Sequence, residues 1–228
     1  MEKTRVLVWD LPTRVFHWLL AASFLGAFLT AESERWRNIH VALGYTVLGL
    51  IGFRLLWGVI GTRYARFSSF AFGARSVLLY LKSLFTRSPQ HHLGHNTAGS
   101  WAIFALLALA LLAGVTGFAA YDDSSGHWLG ELHEAVANAM LAVVFVHIAG
   151  VVVSSLINRE NLVRAMVNGY KTGRSAAGIR YKHGLVAAML VLATAGFWGG
   201  ASDFLPALWS GAAAAAAPRH HAAHEERR

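Results

Sequence analysis

The sequence predicts an all-α transmembrane protein, and three observations carry that prediction. Of its 228 residues, 55% are hydrophobic and only 14% are charged, whereas a soluble domain carries about 25% charged residues. The mean hydropathy is +0.44. The apolar residues also come in long blocks, and a helix of about 20 apolar residues crosses the roughly 30 Å hydrocarbon core of a bilayer. We therefore expect a multi-pass membrane protein and not a large soluble core.

Five apolar segments are the predicted helices. They are residues 12–31, 39–60, 98–120, 134–157 and 183–209. Asp10 followed by Pro12 is a typical helix start, and the charged Arg14 lies just ahead of the apolar run. The first segment is therefore predicted to be a retained helix and not a cleaved signal peptide. Asp203 and Pro206 interrupt the fifth segment, so the sequence does not define its far end.

The connecting segments differ in charge. Two of them are basic, and their cations are Arg63, Arg66, Arg75, Lys82 and Arg87 in 61–97, and Arg159, Arg164, Lys171, Arg174, Arg180 and Lys182 in 158–182. The segment 121–132 holds Asp122, Asp123 and Glu131 without any Lys or Arg. By the positive-inside rule, the N-terminus and both basic segments are predicted to be cytoplasmic. This topology accounts for the formal charge of +8, so nucleic-acid binding is not predicted.

The absence of cysteine limits the cofactors that the chain can hold. Without cysteine there are no disulfides, no cysteine-ligated iron–sulfur clusters, no thiolate metal sites and no covalent haem attachment through a C-x-x-C-H motif. A metal or cofactor must then be bound by His, Met or oxygen ligands. The chain has 12 histidines, which makes His the main candidate.

Four histidines lie in or beside the predicted spans at two levels. His40 and His133 begin the second and fourth spans at the outer side. His17 and His147 lie roughly 20 Å closer to the cytoplasm by helical rise. Polar groups in hydrocarbon are costly, and haem iron takes two axial ligands, for which neutral imidazole is suited. These pairs predict two stacked bis-histidine haems. Hydrogen bonding of each His to a neighbouring helix is the alternative.

Residues near these histidines agree with a porphyrin between the helices. Small side chains lie about one turn after each His and would let a flat ring approach the backbone: Ala21, Gly44, Ala137 and Gly150. Arg54 follows His40 by fourteen residues and therefore lies on nearly the same helix face. A buried guanidinium needs an anion, such as a haem propionate. Snorkelling of Arg54 to the cytoplasmic surface is the alternative.

The remaining histidines are predicted to be polar residues of the interface or of the tail, and not ligands. Those of the interface are His91, His92, His95, His127 and His183, and those of the tail are His220, His221 and His224. Tryptophans near the span ends, such as Trp101, fit an interfacial aromatic belt.

Four stretches of the sequence resemble a known family. These are VWDLPTRVFHW, IHVALGYTVLGLIGFRLLWGVIG, GHNTAGSWAIF and LHEAVANAMLAVVFVHIAGVVVSSLINRENLVRAMVNGYKTG. Over roughly residues 5–175 the chain resembles the bacterial cytochrome b561 / nickel–iron hydrogenase cytochrome b family, and that family is similar to the cytochrome b subunits of formate dehydrogenase and thiosulfate reductase. Thr97 stands where a proline is usual in relatives, and the chain beyond residue 183 has no counterpart.

The resemblance implies a four-helix haem-binding bundle. It implies that His17 and His147 hold an inner haem b without covalent attachment, and that His40 and His133 hold an outer one. It also implies that Arg54 lies on the propionate side. The predicted domains are a dihaem cytochrome b membrane domain over 1–175, a fifth transmembrane helix over 176–210, and a disordered Ala/His-rich tail over 211–228.

The function implied by this resemblance is electron transfer in the bacterial inner membrane. The protein would connect the quinone pool with a partner redox protein, which is a hydrogenase, a dehydrogenase or a c-type cytochrome. Two axial imidazoles per iron leave no open position for substrate, so no catalytic residue is predicted. Two alternatives stay open. One is a free-standing oxidoreductase between superoxide and quinone, and the other is a haem-free transporter or metal channel that uses the same histidines.

Overall fold

A computed structural model describes residues 4–83, 92–121 and 127–215, with residues 81 and 201–215 described by their backbone alone. The helices are α1 (Leu11–Thr30), α2 (Arg37–Ile60), α3 (Ala74–Ser83), α4 (Thr97–Ala120), α5 (His127–Asn158), α6 (Leu162–Asn168) and α7 (Gly184–Ala215), and the strands are β1 (Thr4–Leu7) and β2 (Tyr170–Gly173). The predictions for His91, Arg87, Asp122, Asp123, and the tail from residue 216 with its three histidines, lie outside the described residues.

Four of these helices are long and apolar enough to cross a membrane, which confirms the predicted fold class. They are α1, α2 together with the turn that begins at Glu34, α4, and α5. Helices α1, α2 and α4 begin and end within two residues of the predicted bounds, whereas α5 begins at His127, well before residue 134. The charged and polar residues of its first turns hid this part of the helix from a search for apolar blocks.

The predicted start of α1 is confirmed in detail. Asp10 is the N-cap residue, and its Oδ1 accepts a hydrogen bond of 2.8 Å from the backbone N–H of Thr13. Its Oδ2 accepts hydrogen bonds from Trp57 Nε1 at 3.1 Å and from the Thr62 hydroxyl. The carboxylate is 1% exposed, so it joins the start of α1 to the end of α2 in the interior of the protein.

The two strands join distant parts of the chain at one end of the bundle. They pair antiparallel, with Thr4 opposite Gly173 and Leu7 opposite Tyr170. Since β1 precedes α1 and β2 follows α5, an even number of membrane crossings must separate them, in agreement with four spans. The sequence did not predict this sheet or the short helices α3 and α6.

Both basic segments lie at this same end, which we call the basic cap (residues 4–10, 61–83, 92–96 and 159–183). The Tyr64 hydroxyl donates a hydrogen bond of 2.8 Å to the carbonyl of Ala177. Lys171 is buried, and its Nζ lies 3.0 Å from Glu160 Oε2 and donates to the carbonyl of His92 at 3.3 Å. These contacts connect the two basic segments directly.

The four spanning helices pack as two pairs, and one helix of each pair packs against one helix of the other. Helix α1 packs along α2, α4 packs along α5, and α2 packs against α4. The core between them includes Phe16, Leu50, Ile51, Leu107, Ala110 and Met140. In the described part of the chain, the backbone of α5 makes few close approaches to α1 and α2. The helix that carries His133 and His147 therefore approaches the helices that carry His17 and His40 mainly through its side chains and not through its backbone.

Helix α7 packs on the outside of this arrangement, against α1 and α2. Ala187 and Leu190 are buried, and Trp198 Nε1 donates a hydrogen bond of 3.2 Å to the Thr46 hydroxyl of α2. A helix over the predicted fifth segment is thus present. The helix continues to Ala215, but its side chains are described only as far as Gly200, so its crossing of the membrane stays a prediction.

Candidate haem site

The structure brings the two outer histidines close together. His40 lies in the first turn of α2 and His133 in the second turn of α5, and their ring centres are 6.0 Å apart with perpendicular planes. A metal–imidazole nitrogen bond is about 2 Å long, so two rings that hold one metal ion from opposite sides have centres about 6 Å apart. The separation of this pair fits two axial ligands of one iron.

Hydrogen bonds fix the tautomer of both outer imidazoles. His40 Nδ1 lies 2.8 Å from the carbonyl oxygen of Ala27, and His133 Nδ1 lies 2.9 Å from that of Ala113. Because a carbonyl oxygen only accepts, each Nδ1 carries the proton and donates it. Each Nε2 then keeps a lone pair, as a metal-ligating imidazole requires. The Thr116 hydroxyl lies 3.4 Å from His133 Nδ1 and adds a weaker contact.

A cleft lies beside this pair, with a volume of about 400 Å³ that includes the solvent at its open side. Its lining is apolar apart from the two imidazoles and two tyrosine hydroxyls, and consists of His40, Val41, Gly44, Tyr45, Leu48, Ala113, Gly114, Gly117, Phe118, Tyr121 and His133. A Cβ atom built on Gly44 meets no atom within 4 Å, so the predicted small neighbour of His40 does open space there. The cleft suits a largely apolar, flat ligand.

Gly117 is a site residue that the sequence did not reveal. A Cβ atom at this position would lie 2.8 Å from Cε1 and 3.0 Å from Nδ1 of His133, closer than side chains pack. Glycine therefore lets the His133 ring lie against α4, where its Nδ1 reaches the carbonyl of Ala113. No histidine occurs on α4 itself, so the spacing of ligands gave no signal for this residue.

The inner histidines lie at a second level of the same helices. Because His40 contacts Ala27, ten residues after His17, the two levels are about 15 Å apart along α1 and about 21 Å apart along α5. His17 Nδ1 is shielded from solvent and has no hydrogen-bond partner in the described structure. A buried polar atom normally has a partner, so this atom fits a site that takes a further group between α1 and α5.

Arg54 is a buried cation close to this inner level. It is 3% exposed, and its guanidinium lies 4.6 Å from the centre of the Phe67 ring and 5.9 Å from that of Phe70. Its Nη1 is buried without a hydrogen-bond partner. Such burial differs from the snorkelling alternative, in which the guanidinium would reach the surface. A buried guanidinium fits an anionic ligand group such as a propionate.

His95 also lies at the inner level, although its sequence context predicted an interfacial polar residue. Its ring centre is 4.6 Å from that of Trp9 and 4.3 Å from that of Phe70. Burial, and after it the repulsion from Arg54 and other nearby cationic groups, lower its pKa from 6.5 to about 3. His95 is therefore neutral at pH 7. The next residue, Asn96, caps α4 by accepting a hydrogen bond from the Gly99 N–H. An asparagine at this position is the sequence signal that could have placed His95 beside the start of α4.

His127 begins α5, and His183 directly precedes α7. His127 is exposed and lies 3.4 Å from Glu131, one turn later on α5. The His183 ring lies 5.5 Å from that of Trp57, at the start of α7. Within residues 4–83, 92–121 and 127–200, no group of three or more His, Asp or Glu side chains is placed to hold a metal ion.

Comparisons with known proteins place the chain in a family. The family model of the prokaryotic cytochrome b561 matches residues 8–169. A probable Ni/Fe-hydrogenase B-type cytochrome subunit of Azotobacter vinelandii is 27% identical, over 75% of this chain and 90% of that protein. Proteins of the same description from Rhizobium leguminosarum and Escherichia coli K12 are 24% and 23% identical, over 74% and 72% of this chain and 90% of each relative.

No solved structure matches the chain significantly. The family match covers α1 to α6 and ends before β2 and α7, so it includes all four candidate ligands and Arg54. It confirms the resemblance that the sequence motifs indicated. The chain belongs to the prokaryotic cytochrome b561 family and is a multi-pass membrane cytochrome of the b type.

Proposed function

We propose that the chain is a dihaem electron-transfer protein, with an outer haem b held by His40 and His133 and an inner haem b held by His17 and His147. The geometry of the outer pair carries the proposal. Its ring centres are 6.0 Å apart, and both Nδ1 atoms donate to backbone carbonyls. A purely structural role for these histidines would account for the two hydrogen bonds, but it would not require ring centres at the spacing of two ligands of one metal ion.

The bound haems would supply reversible one-electron chemistry, and the chain's own residues set the conditions for it. Each haem would be held by two imidazoles, so the chain would supply electron transfer and would offer no site for a substrate at the iron. The carbonyls of Ala27 and Ala113 orient the outer imidazoles and raise their basicity. Arg54 would balance the negative charge of a propionate in the apolar interior. The two levels lie about 15–21 Å apart in depth, so electrons are carried across much of the bilayer.

The proposed partners are a Ni/Fe hydrogenase and the quinone pool of the bacterial inner membrane. Support for the hydrogenase comes from relatives that are described as B-type cytochrome subunits of such enzymes and that this chain matches over 90% of their length. A dehydrogenase or a c-type cytochrome would serve the same chemistry. Purification in mild detergent, followed by identification of co-purifying proteins, distinguishes these partners, and isolation of the active chain alone would contradict the proposal of a subunit.

The proposed orientation has the N-terminus and the basic cap in the cytoplasm. The pairing of β1 with β2 and the hydrogen bond from Tyr64 to Ala177 support it, because together they bring both basic segments to the side of the N-terminus. Alkaline phosphatase fused after residue 173 is then expected to be inactive, and the same enzyme fused after residue 34 active. The reverse pattern would contradict the orientation. If α7 crosses once more, as proposed for residues 176–210, a fusion after residue 215 is active.

The haem assignment is tested by spectra of the purified protein and of single variants. The parent is expected to contain two haems b per chain, with a reduced-minus-oxidised difference spectrum of low-spin b type. His133→Ala should lose the outer haem and His147→Ala the inner haem, because each variant removes one axial ligand. His127→Ala is the matched control, since His127 lies on the same helix but is exposed, and it should keep both haems.

Two results would overturn this assignment. A parent protein that stays colourless after expression with ample haem would favour the haem-free transporter. Two haems per chain in either His133→Ala or His147→Ala would show that the paired histidines are not the ligands.

A further inference from the structure

We propose that α3 lies in the membrane interface and binds anionic phospholipid of the leaflet on the side of the basic cap. The binding surface, called here the α3 face, consists of Arg75, Leu78, Leu79 and Lys82. This inference requires only that the protein spans a membrane, and it does not depend on the number of haems or on their ligands.

The α3 face is a single face of one helix. Its four residues stand at positions i, i+3, i+4 and i+7, which lie on the same side of an α-helix. All four are exposed, with Leu78 54% and Leu79 51% accessible. The opposite side of the helix is held by Tyr80, which is 1% exposed. Two leucines between two cations therefore point away from the protein.

The position of α3 in the fold sets it at the edge of the bilayer. It follows the end of α2 at Ile60, precedes the start of α4 at Thr97, and packs against α4. Trp101 Nε1 donates a hydrogen bond of 2.9 Å to the carbonyl of Phe72, just before α3. Trp101 is 51% exposed and lies about 6 Å along α4 from its first residue. Tryptophan favours this depth of a membrane.

Neither cation of the α3 face has an acidic partner. The segment 61–97 contains no Asp or Glu, and in the described part of the chain neither Arg75 nor Lys82 forms a salt bridge with an acid elsewhere. An unpaired positive charge beside exposed leucines matches a phosphate headgroup above an acyl chain. An amphipathic helix with cations beside apolar residues binds an anionic interface in this way.

The chemistry favours lipid over a soluble anionic partner. A nucleic acid or a polyanionic peptide would pair with Arg75 and Lys82 but would leave Leu78 and Leu79 in contact with water. A leaflet covers both kinds of side chain at once. Each basic residue near an anionic membrane surface strengthens binding by roughly fivefold, so we expect the two cations together to favour anionic over zwitterionic lipid at the α3 face by more than about tenfold in the exchange constant.

The test uses the full-length protein in lipid nanodiscs of phosphatidylcholine and phosphatidylglycerol. One of the two lipids carries bromine near the headgroup end of its chains, which quenches nearby tryptophan. The contribution of Trp101 is the difference in quenching between the parent and Trp101→Phe. We expect brominated phosphatidylglycerol to quench Trp101 more strongly than brominated phosphatidylcholine at equal mole fraction.

The double variant R75Q/K82Q should remove this preference while the Trp101 quenching by lipid in general persists. The control R174Q/R180Q removes two exposed cations from another part of the basic cap and should keep the preference. Size-exclusion elution and far-UV circular dichroism confirm that each variant is folded. Equal quenching by the two lipids in the parent, or an unchanged preference in R75Q/K82Q, would overturn the proposal. Absence of quenching by either lipid would also overturn it, and would favour a soluble partner.

Discussion

Substitution of Gly117 by valine tests whether the position of one imidazole controls the outer haem. The added Cβ would lie 2.8 Å from Cε1 and 3.0 Å from Nδ1 of His133, whereas ordinary contacts at this position are 3.4–4 Å. The ring must therefore move by roughly half an ångström or more. That movement can lengthen the 2.9 Å hydrogen bond to Ala113 to about 3.4 Å or more and so weakens it. Loss of such an outer-shell bond typically costs 10–100-fold in metal affinity.

The assay for Gly117→Val is the haem content of the purified protein, with a redox titration that separates the two haems. We expect the outer haem to be bound 10–100-fold more weakly and the inner haem to be kept. Gly49→Ala on α2 is the matched control, because a Cβ there meets no atom within 4 Å. Retention of both haems with unchanged potentials in Gly117→Val would refute the reasoning that His133 is a ligand positioned by α4.

Three further predictions concern the inner end of the bundle. Arg54→Met should lower the inner haem content but raise the melting temperature of the haem-free chain. The substitution removes a buried charge that contacts two aromatic rings but forms no salt bridge in the described structure. Lower stability of the haem-free variant would contradict this. Asp10→Ala should lower the free energy of unfolding by about 2–4 kcal/mol, because it removes a helix cap and leaves the buried N–H of Trp57 unpaired. Thermal unfolding in detergent measures this change, and a change under about 1 kcal/mol would contradict the prediction. The third concerns pH. The pKa of His95 is about 3 in the folded protein and 6.5 in the unfolded chain, so the unfolded chain binds more protons between these two pH values. The free energy of unfolding therefore falls as the pH decreases, by up to about 1.4 kcal/mol per pH unit. His95→Gln should show a smaller loss between pH 7 and 5, and equal losses would count against the burial of His95.

The features that the sequence predicted are those encoded in one helix at a time. Apolar blocks predict spans because the bilayer fixes their length, and a fourteen-residue spacing fixes the relative depth and face of His133 and His147. The capping pattern at Asp10 is equally local. The predicted depth of His40 relative to His17 was only approximate. That depth is set by the contact of His40 with Ala27, which joins two helices.

The features that the sequence did not predict depend on contacts between distant segments. Gly117 matters because His133 of another helix lies against it, and His95 is shielded by Trp9 and Phe70 from two other segments. The strands β1 and β2 are four residues long, too short to give a pattern of alternation. Their pairing is visible only once four helices have brought them to one end.

The pairing of β1 with β2 also has a consequence for how the protein is assembled. Strand β1 leaves the ribosome before any of the spanning helices. Its partner β2 follows more than 160 residues later. All four crossings must be inserted before the two ends can meet, and such long-range closure is slow. During that interval the start of α1 and the inner level are not yet covered by the basic cap. In the proposed arrangement, haem would then have a route into the inner site from the side of the basic cap, and this route would close when the two strands pair.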